Sequence, residues 1–296
     1  MKVLLTGSSG FLGKIIFETI KNEHQIIGLS RKSGNYKVAL EEGIIKFTES
    51  FDLVIHSAGK AHSLPKNETE VKAFYEVNVR GTKNLLKSLE RIELPKQFVF
   101  ISSVSVYGQE TGNDILEEYP LLAKDPYGIS KMKAEKLVEK WCDDNDVKCT
   151  ILRLPLLVGK NPPGNLGAMI KAIELGYYFN IDGGKAKKSM VLAHDVAKFI
   201  PSVAAVGGIY NLTDGTNPNF NQLSLAISGK KPFNLPLSLA KFIGKIGDFL
   251  GDKSPINSLK VEKIISNLTF DDSRARGLLN WNPEPVLDYL KREKII

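Results

Sequence analysis

Short apolar runs rich in β-branched residues alternate, from the first residues onward, with longer stretches whose apolar positions recur every three or four residues. The runs predict strands over 2–6, 25–30, 44–48, 52–57, 97–102 and 148–154, and the helical spacing predicts helices over 11–22, 69–91 and 126–145. Strands and helices in this order call for a parallel sheet covered on both faces. After Gly159 the texture turns to proline, glycine and asparagine, with a helix over 165–176, a strand over 190–193, a helix over 195–205 and a strand over 209–213. The division that follows is a sheet domain over 1–158, to which 184–215 returns, and a smaller lobe from 159–183 and 216–296. Within that lobe LPLSLAKFIGKIGDFLG sets Leu239, Phe242, Ile243, Ile246, Phe249 and Leu250 on one helical face. Because its polar face is only weakly basic, the stripe is expected to pack onto the lobe. A membrane surface aided by Lys241 and Lys245 is the alternative.

The first strand runs straight into Gly7, Gly10 and Gly13 in TGSSGFLG. Gly7 allows a tight turn, Gly10 lets the backbone approach a pyrophosphate, and Gly13 lets the following helix pack closely on the sheet. The helix N-terminus then offers its unpaired N–H groups to the anion. A dinucleotide site is therefore expected, with Phe11 and Leu12 opening the helix. Strands 52–57 and 97–102 end in small polar residues, Ser57 to Gly59 and Ser102 with Ser103, at the carboxyl ends where open α/β sheets bind ligands.

Composition narrows the class. With 43% hydrophobic and 25% charged residues in 296, the chain reads as a soluble globular protein, without an apolar stretch long enough to span a membrane. The first strand begins at once, leaving no room for a signal peptide, so a cytoplasmic location is expected. Cys142 and Cys149 read as reduced structural thiols. The net charge of +7 suits anionic ligands, but the dispersed lysines and arginines do not suit nucleic acid. His56 and His62 lack the acidic or thiol neighbours of a metal site, and no metal is expected.

Candidate chemistry comes from DPYGISKMKAEKL, where Tyr127 and Lys131 lie one helical turn apart after a helix-opening proline. A nearby ammonium favours the phenolate and brings tyrosine toward the working range of a proton donor and acceptor. A serine at the end of an earlier strand, Ser102 or Ser103, can hold a carbonyl oxygen while hydride moves.

With TGSSGFLG, DLVIHSAG, NVRGTKNLL, FISSVSVYG, YGISK, RLPLLVG and FDDSRARGLLNWNP in order, the chain resembles the extended short-chain dehydrogenase/reductase family, in its nucleotide-sugar epimerase, dehydratase and reductase branch. The resemblance implies a Rossmann-type doubly wound parallel sheet with a smaller C-terminal α/β substrate lobe. It implies Tyr127 as acid/base and Lys131 as the partner that lowers its pKa and holds the nicotinamide ribose. Ser103, four residues before Tyr107, becomes the carbonyl-orienting hydroxyl. Ala58, Gly59, Asn78 and Pro155 become cofactor-lining positions. On the substrate side Asn165 is the candidate for the nucleotide diphosphate, with Lys187 and Lys188 as its cations. Asp195 is expected to cap a helix, and Asp271, Asp272 and Trp281 to fix the C-terminal lobe. A homodimer through helices 69–91 and 126–145 is a further expectation of the resemblance.

Departures refine the reading. Val104 and Ser105 stand where dehydratases of the family carry an Asp-Glu pair, so dehydration is not expected. Arg31 and Lys32 follow the second strand where an NAD enzyme would present an acid, which favours NADP, with NAD possible. The expected activity is hydride transfer at carbon 4 of a UDP-linked sugar, a 4-ketosugar reductase for surface polysaccharide. The alternatives are a 4-epimerase and a non-catalytic cofactor sensor.

Overall fold

The computed structural model describes residues 1–61, 65–250 and 257–293. His62 lies outside the described residues. Seven strands form one sheet: β1 (Lys2–Thr6), β2 (Gln25–Ser30), β3 (Tyr36–Lys37), β4 (Leu53–His56), β5 (Gln97–Ser103), β7 (Lys148–Leu154) and β11 (Gly208–Asn211). All pairings are parallel and the order is β3-β2-β1-β4-β5-β7-β11. The direction of winding reverses between β1 and β4, which opens a crevice at their carboxyl ends.

The two faces are covered as the apolar spacing requires. On one, α1 (Phe11–Ile20) and α6 (Ala193–Ala204) bury Leu12, Ile16, Val196 and Ile200 against Leu5, Ile55 and Val99. On the other, α3 (Gly81–Leu89) and α4 (Pro126–Asp144) bury Leu85, Leu89, Ala134 and Val138 against Leu4, Val54 and Phe98. A doubly wound α/β sheet is the result.

The smaller lobe has its own core, in which Val158, Leu166, Met169, Leu223, Ile227 and Leu290 meet. It carries three short parallel pairs: β8 (Leu156–Val158) with β10 (Met190–Leu192), β9 (Phe179–Ile181) with β12 (Phe233–Leu235), and β6 (Gly112–Ile115) with β13 (Leu268–Phe270). Through β6, a segment inside the first 158 residues pairs with the C-terminal part of the chain.

Three expectations are corrected. No strand forms over 44–48. Ile45 and Phe47 are buried alternately, which mimics a strand, but the Ile45 N–H donates to Ser88 Oγ at 2.8 Å and the Thr48 N–H to Tyr36 Oη at 3.2 Å, not to a neighbouring strand. The expected helix 69–91 is α2 (Glu68–Tyr75), a wide π-helical turn over Glu76–Arg80, and α3. In α8 (Leu237–Leu250) the large apolar residues do not pack inward: Ala240, Gly244 and Gly247 do, while Leu239, Phe242, Ile246 and Phe249 are exposed.

Cys142 and Cys149 are both free; a hydrogen bond between them and burial push the Cys142 thiol up. Among the described residues no helix is long and apolar enough to cross a membrane, and no cluster of His, Cys, Asp or Glu is arranged to hold a metal.

Candidate active site

The crevice begins at the turn after β1. Gly7 adopts φ +71°, and its N–H donates to Leu29 O at 2.8 Å, tying the turn to β2. A Cβ at Gly7 would lie 2.7 Å from Ala58 N, and one at Gly13 would lie 2.1 Å from Gly7 O. Gly10 caps α1 without a side-chain bond, so the N–H groups of Phe11, Leu12 and Gly13 have no intrahelical acceptor and are free of the helix ladder, as an anion site requires. This cradle, shaped for backbone-close approach, fits the pyrophosphate of a dinucleotide. The Phe11 ring lies under Gly159, where a Cβ would meet it at 3.2 Å.

Along the crevice lie Ser9, Ser30, Arg31, Ala58 and Gly59, with Glu41 opposite Arg31. The Ser30 hydroxyl is taken up in its own turn, accepting the Ser33 N–H at 3.1 Å and donating to Ser33 O at 2.5 Å. Arg31 and Lys32 are exposed at its rim. Arg31 Nη1 stands 3.7 Å from Glu41 Oε1, an acid that strand-end reasoning missed because it arrives from the short turn Leu40–Glu42.

At the end of β5 the two serines face opposite ways, as alternation in a strand demands. Ser103 Oγ donates to Ser105 Oγ at 3.2 Å, accepts the Ser105 N–H at 3.2 Å and stands beside the Tyr127 hydroxyl. Ser102 Oγ instead donates to buried Glu135. Tyr127 sits in the first turn of α4, which Pro126 opens and Asp125 caps by accepting the Gly128 N–H at 3.0 Å. Loss of solvent raises the Tyr127 pKa; the Ser103 hydroxyl beside it opposes this, and the Asp125 charge adds to it. The lowering expected from Lys131 does not set Tyr127 here. Lys131 Nζ donates to Ile101 O and lies 4.2 Å from the centre of the Phe100 ring. Burial brings the Lys131 amine down to about 8, against the support of the Glu135 carboxylate.

Asn78 stands in the π-helical turn and is fully engaged by protein. Its Oδ1 accepts the Lys60 N–H at 2.7 Å, and its Nδ2 donates to Lys60 O at 3.1 Å and Ser130 Oγ at 2.8 Å. It therefore braces the loop after β4 against α4. A Cβ on Gly59 would come within 3.2 Å of Asn78 Oδ1 and 3.9 Å of Lys131 Nζ, which puts all three together. His56 belongs to the core. Thr82 Oγ1 donates to Asn78 O at 2.6 Å and so accepts from His56 Nε2 at 2.8 Å, leaving Nδ1 to accept from Thr6 Oγ1 at 2.7 Å. Burial, and then Lys131, holds His56 down to about 3, neutral.

Behind the serines lies a buried polar cluster that sequence reasoning did not find. Arg153 (3% exposed) donates to Glu135 (0% exposed) at 2.9 and 3.2 Å, to Tyr107 Oη at 3.1 Å and to Glu117 O at 2.9 Å. Tyr107 Oη in turn donates to Asn211 Oδ1 at 2.8 Å. The available signals were an arginine inside the apolar run ILRLPLL and a glutamate one turn beyond Lys131.

On the substrate side, Asn165 is exposed in the first turn of α5 (Gly164–Glu174), Lys187 is exposed, and Pro155 is half-buried between β7 and β8. Lys188 is corrected: its Nζ donates to Lys263 O at 3.0 Å and Ser266 O at 2.9 Å, closing the C-terminal end of α9 (Ser258–Ile265). Asp195 is corrected too. It lies inside α6 and accepts the Glu284 N–H at 2.8 Å, pinning the C-terminal segment. Trp281 donates to Thr213 O at 2.9 Å, Asp272 accepts from Thr213 Oγ1 at 3.0 Å, and Asp271 accepts the Ser273 N–H at 2.8 Å.

A glycine cradle at the first turn of a Rossmann-type sheet, with serine, tyrosine and lysine gathered at the strand ends, defines a short-chain dehydrogenase/reductase of the extended type. The chain belongs to the NAD dependent epimerase/dehydratase family, whose model matches residues 3–212. It is 32% identical to UDP-glucose 4-epimerase of Lactobacillus helveticus, over 96% of this chain and 92% of that protein. It is 28% identical to N-acetyl-alpha-D-glucosaminyl-diphospho-ditrans,octacis-undecaprenol 4-epimerase of Escherichia coli O157:H7, over 93% and 88%. Its fold matches the crystal structure of UDP-N-acetylglucosamine 4-epimerase from Bacillus cereus with a TM-score of 0.77 at 22% identity, over 100% and 98% of the two chains.

Proposed function

We propose that this chain reduces a 4-keto sugar carried on a nucleoside diphosphate, UDP by preference, with NADPH, to supply a surface polysaccharide precursor. The reading is carried by the gathering of the Tyr127 hydroxyl, raised in pKa by its loss of solvent, with the Ser103 hydroxyl at the end of β5 and Lys131 one turn along α4. The crevice lined by Gly7, Gly10, Ala58 and Gly59 would hold the dinucleotide, whose nicotinamide would supply the hydride for carbon 4. Ser103 holds the carbonyl oxygen, and Tyr127, still protonated at neutral pH, donates as that oxygen gains electron density. Lys131 places positive charge one turn along α4 from the phenolate left behind. Val104 and Ser105 supply no acid for elimination, so the product keeps its hydroxyl. Arg31 and Lys32 at the rim support a 2′-phosphate.

Tyr127→Phe is the test. NADPH oxidation on a UDP-4-keto sugar should fall at least about a hundredfold, while NADPH fluorescence titration stays as in the parent. Undiminished turnover would remove Tyr127 from the reaction.

The second reading is a 4-epimerase, which oxidises carbon 4 and returns the hydride to the other face. The names of both curated relatives favour it, as does Glu41 beside Arg31, an acid able to accept ribose hydroxyls. An epimerase would be purified with retained NAD and would interconvert two sugars without net cofactor consumption. A pure sensor is disfavoured by the Ser103–Tyr127 pair. A homodimer through α2–α3 and α4 is expected, to be measured by sedimentation equilibrium.

A further inference from the structure

The large apolar face of α8 has no role in the hydride reaction, and the fold holds it outward. Around the helix axis Leu239, Phe242, Ile246 and Phe249 fall within about 80° of one another, along roughly 15 Å of its length. They are 45%, 60%, 46% and 93% exposed. The opposite side carries Ala240, Gly244 and Gly247, all buried. A Cβ at Gly244 would already lie 3.2 Å from the Ser258 backbone and 3.3 Å from Val261. Rotating α8 to cover its large residues would push them into a contact where a methyl group at Gly244 would already be tight and nothing larger than the Ala240 methyl is buried. Their exposure is thus a product of close packing.

We propose that α8 is a docking surface for an anionic lipid bilayer. Lys241 and Lys245 are exposed and run along one edge of the ridge. The one acid on the helix, Asp248, accepts the Ser258 N–H at 3.0 Å and is thereby turned toward α9. Just before α8, Lys230 and Lys231 are exposed ahead of Phe233, which is 72% exposed and sits beside Phe179 in the β9–β12 pair. Phenylalanine at the crest with lysine at the rim matches acyl chains beneath anionic headgroups, and the chain's net charge of +7 draws it to that surface. A second copy of the chain is a poorer occupant, because a two-fold contact on this ridge sets the same lysines against one another. The proposal does not rest on the reaction assigned above.

The full chain is sedimented with vesicles of phosphatidylcholine plus phosphatidylglycerol and with vesicles of phosphatidylcholine alone. Binding is expected to the anionic vesicles only. F242S/F249S should weaken it at least about tenfold, and K241E/K245E at least about 25-fold, since each lysine near an anionic surface is worth about fivefold. Both variants are first shown to keep the parent's NADPH titration. The proposal is overturned if the parent stays in the supernatant, if F242S/F249S and K241E/K245E sediment like the parent, or if the parent is a dimer that F242S/F249S converts to monomer. The vesicles carry no sugar, so failure here leaves the hydride reaction untouched.

Discussion

Arg153→Met should destabilise the protein by about 3–5 kcal/mol, and replacing Glu135 as well should return most of that loss. Arg153 and Glu135 are 3% and 0% exposed and share contacts at 2.9 to 3.3 Å. With the guanidinium gone, the Glu135 carboxylate keeps one hydrogen bond, from Ser102, and the more distant charge of Lys131, and sits in the interior without its ion-pair partner; Tyr107 Oη and Glu117 O lose a donor as well. Glu135→Leu leaves the mirror problem, a buried cation without its anion. In Glu135→Leu/Arg153→Met neither charge is buried, so the double variant should be more stable than the sum of the singles by at least about 3 kcal/mol. Against a total stability of about 5–15 kcal/mol, the singles are large enough to read from guanidinium unfolding midpoints at unchanged slope. A coupling below about 1 kcal/mol would refute the reasoning, because it would mean the two groups are solvated or unpaired in solution. The same Glu135→Leu change removes a carboxylate that supports the Lys131 ammonium, so it should carry the Lys131 titration below its value of about 8.

Gly13→Ala should weaken NADPH binding by at least about a hundredfold, read by fluorescence titration, because its Cβ would lie 2.1 Å from Gly7 O and the turn must open. Arg31→Ala should lower NADPH affinity about tenfold or more and leave NADH unchanged, while Glu41→Gln, by releasing Arg31, should raise NADPH affinity; equal effects on both cofactors would remove Arg31 from the 2′-phosphate. Lys131 titrates near 8 when folded against 10.5 unfolded, so between these values the unfolded chain binds more protons and this group's contribution to stability rises with pH, by about 3 kcal/mol in all. Lys131→Met should remove that slope, measured as the difference in denaturation midpoint between parent and variant at pH 8 and pH 10.

Where chain-local chemistry decides, the sequence was enough to read the fold. Gly7 is demanded by its own φ of +71° and Gly13 by a contact within the same turn, while the choice of Ser103 over Ser102, made from the resemblance, agrees with the alternation along β5 that turns Ser102 to Glu135. Errors came where a partner distant in sequence decides instead. Ile45 and Phe47 alternate like a strand, yet the Ile45 N–H finds Ser88. Asp195 and Lys188 look like a cap and a diphosphate cation, but residues some eighty positions away claim both, Glu284 for the one and Lys263 with Ser266 for the other. Glu41 and Arg31 are brought together by a turn that carries no strand or helix periodicity.

The helix α8 sharpens the point about what periodicity encodes. The apolar spacing alone assigns the heavy stripe to the interior, because large residues gain most from burial. The interface with α9 selects for closeness instead, and only Ala240, Gly244 and Gly247 allow it. Burial of the small face leaves the large one outside, so the apolar stripe of α8 marks surface. The π-helical turn follows a similar logic: the Gly81 N–H reaches back to Glu76 O, and the widened turn carries Asn78, whose amide meets both Lys60 and Ser130. Residues 69–91 read as one continuous helix, and the local widening costs too little in pattern to be seen. It nevertheless fixes the loop beside Lys131, which links a backbone irregularity to the placement of the group that titrates nearest neutrality in the site.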